Sequence, residues 1–187
     1  MFKRQKHIDM ALSKWALDPT HSEVTFKVRH MMISNVTGQF TKFDASAETE
    51  GDDFTTAKVS FTADVNTVTT GNEQRDGHLK SPDFFDAAKF PGIKFLPTKY
   101  IHTGSAGDYA VTGDLTIRDI TKSITLDVEF GGVIKDPWGN TRAGFSVEGK
   151  INRKDFGLQW HAVTETGGLV VADDVRIHVN LEFVKQV

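Results

Sequence analysis

Arg75, Asp76 and His78 fall within four positions of one another, inside a polar stretch from Asn72 to Leu79 (NEQRDGHL). A guanidinium, a carboxylate and an imidazole at this spacing can do three things. They can relay a proton, they can hold a polar head group, or they can pair with neighbouring charges and fasten the segment they sit on. Signatures of more demanding chemistry are missing. There is no G-x-S-x-G elbow, no H-E-x-x-H pair and no Gly-rich phosphate loop. The seven histidines are scattered, and His21 and His30, near one predicted strand, are nine residues apart. No cysteine is present, which excludes disulfides and thiolate metal sites. No catalytic residue and no metal ligand set is therefore assigned. The polar trio is followed at once by Phe84, Phe85 and Phe90, so whatever the trio does, it does beside a dry surface.

The elements around it read as strands. Trp15 to His30 alternates with a kink at Pro19, and Val24, Phe26, Val28 and His30 share one face. The next row runs from Val36 to about Thr49. Its apolar parity switches between Phe40 and Phe43, which predicts a bulge or strong bend near Thr41 and Lys42. Further rows cover Ala57–Val65, Ile93–Ile101, Tyr109–Ile117, Ile124–Phe130, Ala143–Ile151 and Val175–Phe183. That makes eight amphipathic strands, most of them joined by short hairpin links. The chain has too little helix to cover a sheet of this size. Closing the sheet on itself buries the apolar face and removes the edges. The expected fold is all-β, an eight-stranded antiparallel barrel, wide enough to be filled by side chains or to hold one small ligand. A flattened sandwich is the alternative that the same pattern allows. Small inward residues (Gly38, Ala45, Ala47, Ala57, Ala63, Gly113, Ala143, Gly149) either leave volume in the lumen or make room for phenylalanine neighbours.

Asn72 to Gly92 interrupts this alternation between strands three and four. The spacing predicts two short helices. The first covers the polar stretch, and the second starts at Ser81-Pro82, with Ser81 as N-cap and Pro82 in the first turn. Their apolar face, carrying Phe84 and Phe85, is expected to roof or plug one end of the barrel.

Composition agrees with a single domain. At 187 residues the chain can bury a core without covalent staples. Fourteen Phe against two Tyr and three Trp favour a dry interior. A net charge of −3, mixed in sign, argues against a nucleic-acid partner. Residues 1–14 are charged and no apolar h-region follows, so they read as a flexible extension before a domain over 15–187, and the protein as cytoplasmic. No apolar run approaches the ~18 residues of a membrane span.

Several motifs, in order and at compatible spacing, resemble one family. They are WALDPTHSEVTFKVRH (15–30) with Met31, Gly38-Gln39-Phe40, NEQRDGHLKSPDFFDAAKFPGIKF (72–95), GDLTIRDITKSITL (113–126), DPWGNTRAGFS (136–146) and INRKDFGLQW (151–160). The sequence is similar to the YceI-like family, bacterial polyisoprenoid- or lipid-binding proteins of lipocalin-like architecture. Many members of that family are periplasmic; residues 1–14 do not read as a secretory leader, so this chain is expected to depart from them in location. The resemblance implies a lipocalin-like barrel with an elongated apolar pocket. That pocket holds a long-chain amphiphile, such as a polyisoprenoid, an isoprenoid quinone or a fatty-acid derivative, for transport, storage or sequestration, and no cofactor is required. On that reading the ligand contacts are Phe26, Val28, Phe40, Phe61, Phe84, Phe85, Leu115, Leu126, Phe145, Phe156 and Trp160. His30, Arg75, Asp76 and His78 stand at the head-group end. A tryptophan at Ala63 or Gly113 is expected to fill the lumen. Two other readings stay open: a protein-interaction module whose barrel is filled by side chains, and a lipid-modifying enzyme. A homodimer that hides an apolar rim is compatible with all three.

Overall fold

The computed structural model describes residues 11–104 and 107–187. The chain runs β1 (Leu12–Leu17), β2 (Glu23–His30), β3 (Ser34–Phe40), β4 (Phe43–Glu50), β5 (Asp53–Asp64), β6 (Val68–Thr69), α1 (Glu73–Lys80), β7 (Gly92–His102), β8 (Asp108–Ile117), β9 (Ile120–Lys135), β10 (Thr141–Asn152) and β11 (Val171–Lys185). The strands form one antiparallel sheet in the order β1-β4-β5-β7-β8-β9-β10-β11, and β11 returns to pair with β1, which closes the ring. The fold is thus an eight-stranded antiparallel barrel, and the flattened sandwich is ruled out.

Eleven named strands make eight staves because three staves are broken. Strand β11 pairs with β2 along its first part and with β1 along its last, so β1 and β2 are two halves of one stave. The break is a 3-10 turn over Pro19–His21, capped by the Asp18 side chain, where Pro19 removes a ladder donor. β3 and β4 are likewise halves of one stave, broken at Thr41–Lys42 where the apolar parity switches. β5 and β6 are parted by a 3-10 turn over Val65–Thr67, capped by Asp64.

The expected extension over 1–14 lies mostly outside the described residues. Its last part belongs to the barrel, since Leu12–Lys14 pair in register with Glu50, Thr49 and Glu48 of β4. The two ends of the barrel differ. One, the plain end, carries the β4–β5, β7–β8 and β9–β10 turns. The other, the lid end, carries the β2–β3 hairpin tip, α1 with the turns over 81–91, and the 153–170 segment.

Two apolar clusters line the interior. Near the lid end, Val24, Phe40, Phe84, Phe85, Phe156 and Leu158 pack with Val179 and Leu115. Near the plain end, Trp15 is buried among Ala45, Ala47, Ala143 and Phe183, and its Nε1–H donates to Thr49 Oγ1 at 2.8 Å. Phe54 joins the Trp15 cluster at 4.9 Å between ring centroids, although its position is even where the other inward residues of β5 are odd. The pairing jumps from Glu48↔Lys58 to Glu50↔Asp53, so the extra residues of an irregularity in β5 turn that end of the strand over.

The inward glycines are seats for larger side chains. A Cβ at Gly38 would stand 2.3 Å from the Phe26 ring, one at Gly113 2.6 Å from Phe95, and one at Gly149 2.3 Å from Leu126. A tryptophan at Gly113 would therefore displace Phe95 and break the wall before it filled any lumen, so the expectation attached to that site is withdrawn.

The plain end is latched by charge. Arg142 donates through Nε to Asp136 (2.7 Å) and through Nη1 to Asp18 (2.8 Å) and Glu182. Asp136 also accepts from the backbone N–H groups of Trp138 and Asn140, which shapes the β9–β10 turn. Hydrogen bonds from Thr20, His21 and Arg142 hold the Asp18 carboxyl well below the usual range, and Arg142 and Asn140 do the same for Asp136. Depressed folded-state values mean that the unfolded chain binds more protons. The stability these groups contribute is present above the ordinary carboxylate pKa of about 4 and is lost as pH falls below it. Melting temperature is expected to fall steeply between about pH 4 and pH 2, and Arg142→Met to flatten that fall while lowering the melting temperature at pH 7. An unchanged acid profile in Arg142→Met would show that the latch does not govern acid stability.

Candidate functional site

A cavity of about 440 Å³ runs along the barrel between the two clusters. One register row, Tyr109–Val128–Val147–Val179–Val24–Phe40, crosses six neighbouring staves and lines the cavity throughout, so it girdles the wall of the lumen. Many inward side chains on its wall, among them Phe26, Val28, Phe61, Phe95, Val147 and Ile177, are only half-buried, although the strand pattern points them at the core. They face open volume. The lumen is therefore not packed to the density of an ordinary core.

Of the sequence-predicted contacts, Phe26, Val28, His30, Phe40, Phe61, Arg75, His78, Phe84, Phe85, Leu115, Leu126, Phe145 and Trp160 border the cavity. Ala57 and Ala63 border it as well. Asp76 and Phe156 do not. Phe156 is 1% exposed and packs behind the wall in the lid-end cluster, because the 3-10 turn Arg153–Phe156 carries it away from the lumen. Asp76 faces Thr69 and Thr70. It accepts from Thr69 Oγ1 (3.0 Å), Thr70 N–H (2.8 Å) and Thr70 Oγ1 (2.6 Å). Burial pushes its carboxyl pKa up, but the hydrogen bonds from Thr70 and Thr69 and the charge of Arg75 outweigh that and hold it low. Its role is to fasten α1 to β6. Removing a buried, charged acceptor of three hydrogen bonds costs about 2 kcal/mol. Asp76→Ala is expected to lower the urea midpoint accordingly, and a midpoint within error of the parent would refute the fastening role.

The polar wall groups gather at the lid end. Arg29 and Arg75 are the exposed members of the lining, so the cavity meets solvent there. Arg75 donates from Nε to Thr70 Oγ1 (2.7 Å) and from Nη2 to the Thr70 carbonyl (3.1 Å). Arg29 donates to the Met32 carbonyl from Nε (3.1 Å) and Nη2 (2.9 Å). His78 is hydrogen-bonded to Asp83 at 2.9 Å, and its ring stands edge-on to Phe84 (5.1 Å) and Trp160 (5.0 Å). Among the described residues, the His30 side chain has no hydrogen-bond partner, as is also true of the Tyr109 hydroxyl toward the plain end. At the plain end, Tyr100 donates its hydroxyl to the Ala57 carbonyl (2.9 Å) and turns its ring to the cavity. Burial pushes its pKa up to about 12, so it stays neutral.

The lid itself is one helix and a set of turns. α1 is capped at its start by Asn72, whose side chain accepts from the Arg75 N–H. The second expected helix does not form. Ser81 ends α1 instead: its N–H and hydroxyl both donate to the His78 carbonyl (3.1 and 2.7 Å). The chain then folds back so that Phe85 and Ala87 donate to the Leu79 and Lys80 carbonyls (3.0 and 2.9 Å). A signal that could start a helix is used here to satisfy the open carbonyls at the end of the previous one. This fold-back, and not a helix face, delivers Phe84 and Phe85 to the cavity.

Two arginines that seat the lid were not singled out from the sequence. Arg153 is 4% exposed. It donates from Nη1 to the Leu158 (2.6 Å) and Trp160 (2.7 Å) carbonyls and from Nε to the Ala172 carbonyl (3.0 Å), and its Nη2 faces Asp173 at 3.2 Å. It thereby ties both ends of the 158–172 segment and sets Trp160 against the cavity. Arg118 donates to the Gly157 carbonyl (2.8 Å) and lies 5.5 Å from the Phe90 ring centroid, joining the β8–β9 turn to the lid. Each adjoins a turn, and a basic residue in that place is the one sequence signal that could have pointed to it.

The YceI-like domain family matches residues 15–183, nearly the whole barrel. The chain belongs to the YceI-like family. A UPF0312 protein of Staphylococcus aureus (strain MSSA476) is 39% identical over 173 residues, which is 92% of this chain and 98% of that relative. The crystal structure of a YceI protein from Campylobacter jejuni superposes with a TM-score of 0.70 at 35% identity, covering 83% of this chain and 88% of the other. A polyisoprenoid binding domain from Saccharophagus degradans shares the fold at a TM-score of 0.65 and 16% identity, covering 92% of this chain and 98% of that one. In this YceI-like barrel the 72–95 stretch is the long crossover that closes the lid end, and INRKDFGLQW is the turn that presents Trp160. No helix among the described residues is long and apolar enough to cross a membrane.

Proposed function

We propose that this YceI-like barrel binds one long-chain amphiphile in its lumen, with the tail inside the apolar wall and the polar head at the lid end. The observation that carries this reading is the open, apolar cavity of about 440 Å³ inside a closed barrel. That volume lies within the usual range for ligand sites. Each methylene buried in it contributes about 0.8 kcal/mol, so a long tail needs few polar contacts. His30, Arg75 and His78 are the groups placed to meet the head, with His30 the freest to rearrange. The polyisoprenoid binding domain of the same fold makes a polyisoprenoid or a similar chain the first candidate class. In this reading the protein is a carrier or store, needs no cofactor, and does not transform its ligand.

Native mass spectrometry of the purified protein, followed by organic extraction, tests it. The expected result is a stoichiometric long-chain amphiphile, or its uptake after delipidation. Lipid-free protein that takes up no long-chain amphiphile would sink the reading, and turnover of a bound lipid would replace it with the enzymatic one.

A further inference from the structure

Beside the cavity mouth, the β2–β3 hairpin ends in Met31, Met32 and Ile33, which are 43%, 58% and 79% exposed. Both central residues of the turn are left-handed, with φ of 48° for Met31 and 59° for Met32. Asn-Gly is the usual choice for such a turn, and unbranched apolar side chains there cost backbone energy. The strain holds three apolar side chains out to solvent. The neighbouring 162–170 segment, which carries Val163 (63% exposed), is tied to this tip: the Met31 N–H donates to the Val170 carbonyl at 2.9 Å.

The outer face behind the tip is basic. Lys27, Arg176 and Lys150 are direct register partners across β2, β11 and β10, and all three point outward. Arg29 lies on the same face of β2, nearer the tip. Like charges placed opposite one another destabilise a sheet. Among the described residues, Lys27, Arg29 and Arg176 form no ion pair, and Lys150 pairs with Asp174 at 3.1 Å. The adjacent Asp173 is engaged by Arg153 (3.2 Å) and Lys154 (3.0 Å). An apolar tip with a basic ribbon behind it, two of whose three members are unpaired, matches the interface of an anionic bilayer, which offers an acyl boundary beneath a layer of phosphates. Arg29 and His30 also line the cavity, so the tip is continuous with its mouth.

We infer that the Met31–Ile33 tip inserts into the interfacial layer of an anionic membrane, with the Lys27–Arg176–Lys150 ribbon against its phosphates, and so sets the cavity mouth on the bilayer from which the ligand is drawn or to which it is delivered. This rests on the lipid-binding reading above. It adds a membrane partner and an orientation.

The test is flotation of the full chain with vesicles of phosphatidylcholine alone or mixed with phosphatidylglycerol. Uptake of a detergent-dispersed fluorescent long-chain fatty acid is measured in parallel. The unaltered protein is expected to float with the anionic vesicles, less so at high salt. Met32→Ser with Ile33→Ser should reduce the bound fraction by about tenfold or more. Lys27→Glu and Arg176→Glu should each reduce it about fivefold. Trp138→Ser, at the exposed turn of the plain end, should change nothing, and all variants should keep detergent-phase uptake. Uptake without any vesicle association of the unaltered protein would overturn the docking inference and leave the lipid-binding reading standing. Loss of flotation in Trp138→Ser alone would overturn it in favour of the opposite end. Tip variants that convert a dimer to a monomer in sedimentation, with no vesicle binding by the parent, would assign the tip to a second copy of the chain. No uptake by the parent in either phase would remove the lipid reading and this inference together.

Discussion

Val147→Trp is expected to reduce uptake of a long-chain amphiphile by more than about tenfold while the barrel stays folded. Val147 lies at the middle of the row from Tyr109 to Phe40, flanked by Val128 and Val179, and its half-buried side chain faces the cavity. An indole there stands in the path that an extended tail must take. A small-to-large change in a packed core costs about 1–3 kcal/mol in strain. At a site that borders open volume the ring has somewhere to go, so the cost should fall at the low end of that range. Ala63→Trp is a weaker version of the same test, because Ala63 is only 3% exposed and already packs in the lid-end cluster. Titration with a fluorescent fatty acid, beside a thermal melt, separates the two effects. Uptake equal to that of the parent would mean that the tail does not pass Val147. Unfolding would be distinguished by Val147→Phe, which adds less volume.

The second large effect is on stability. Arg153→Met should destabilise the protein by about 3 kcal/mol, because it leaves the Leu158, Trp160 and Ala172 carbonyls without their donor and Asp173 without one of its two cations. Burial pulls the Arg153 guanidinium pKa down and the Asp173 charge opposes this, yet the group stays charged at any working pH. Arg153→Lys should rescue little, since one ammonium cannot span carbonyls on both strands of the 158–172 segment. Trp160 fluorescence should shift to the red as its ring leaves Phe84 and His78. A parent-like urea midpoint in Arg153→Met would show that the segment is held by other contacts. Arg153 thus links stability to function: the same side chain that holds the loop also places a wall of the cavity.

Much of this architecture was legible in the chain. Period-two rows identified every full stave, and Pro19 and the parity switch at Thr41–Lys42 marked two of the three broken ones. The lid was visible as the place where alternation stopped. The site was less legible. Thirteen of fifteen proposed contacts border the cavity; eight of them lie on strands, where inward parity already implies facing the lumen, and the other five are brought there by the lid and the turn before β11. The two exceptions lie outside the strands, where no period applies: Asp76 turns to Thr69 and Thr70, and Phe156 turns behind the wall. Phe54 shows the reverse case, since an irregularity in its own strand, opposite Glu48–Glu50, turns an outward position inward.

The residue pattern alone therefore settled which faces are apolar and how many staves there are, because those follow from local alternation. It made closure the expected way to bury the apolar face, and only the pairing of β11 with β1 ruled out the sandwich. Whether the lumen is filled or open could not be decided that way. Gly38, Gly113 and Gly149 could have been spare volume or room for larger neighbours, and they are seats for Phe26, Phe95 and Leu126, while the space that remains is bordered by the row through Val147. Packing of side chains from staves far apart in sequence decides that volume. Likewise, Arg142 and Arg153 became a latch and a pin only when the closed barrel brought Asp18 to Asp136 and Trp160 to Ala172.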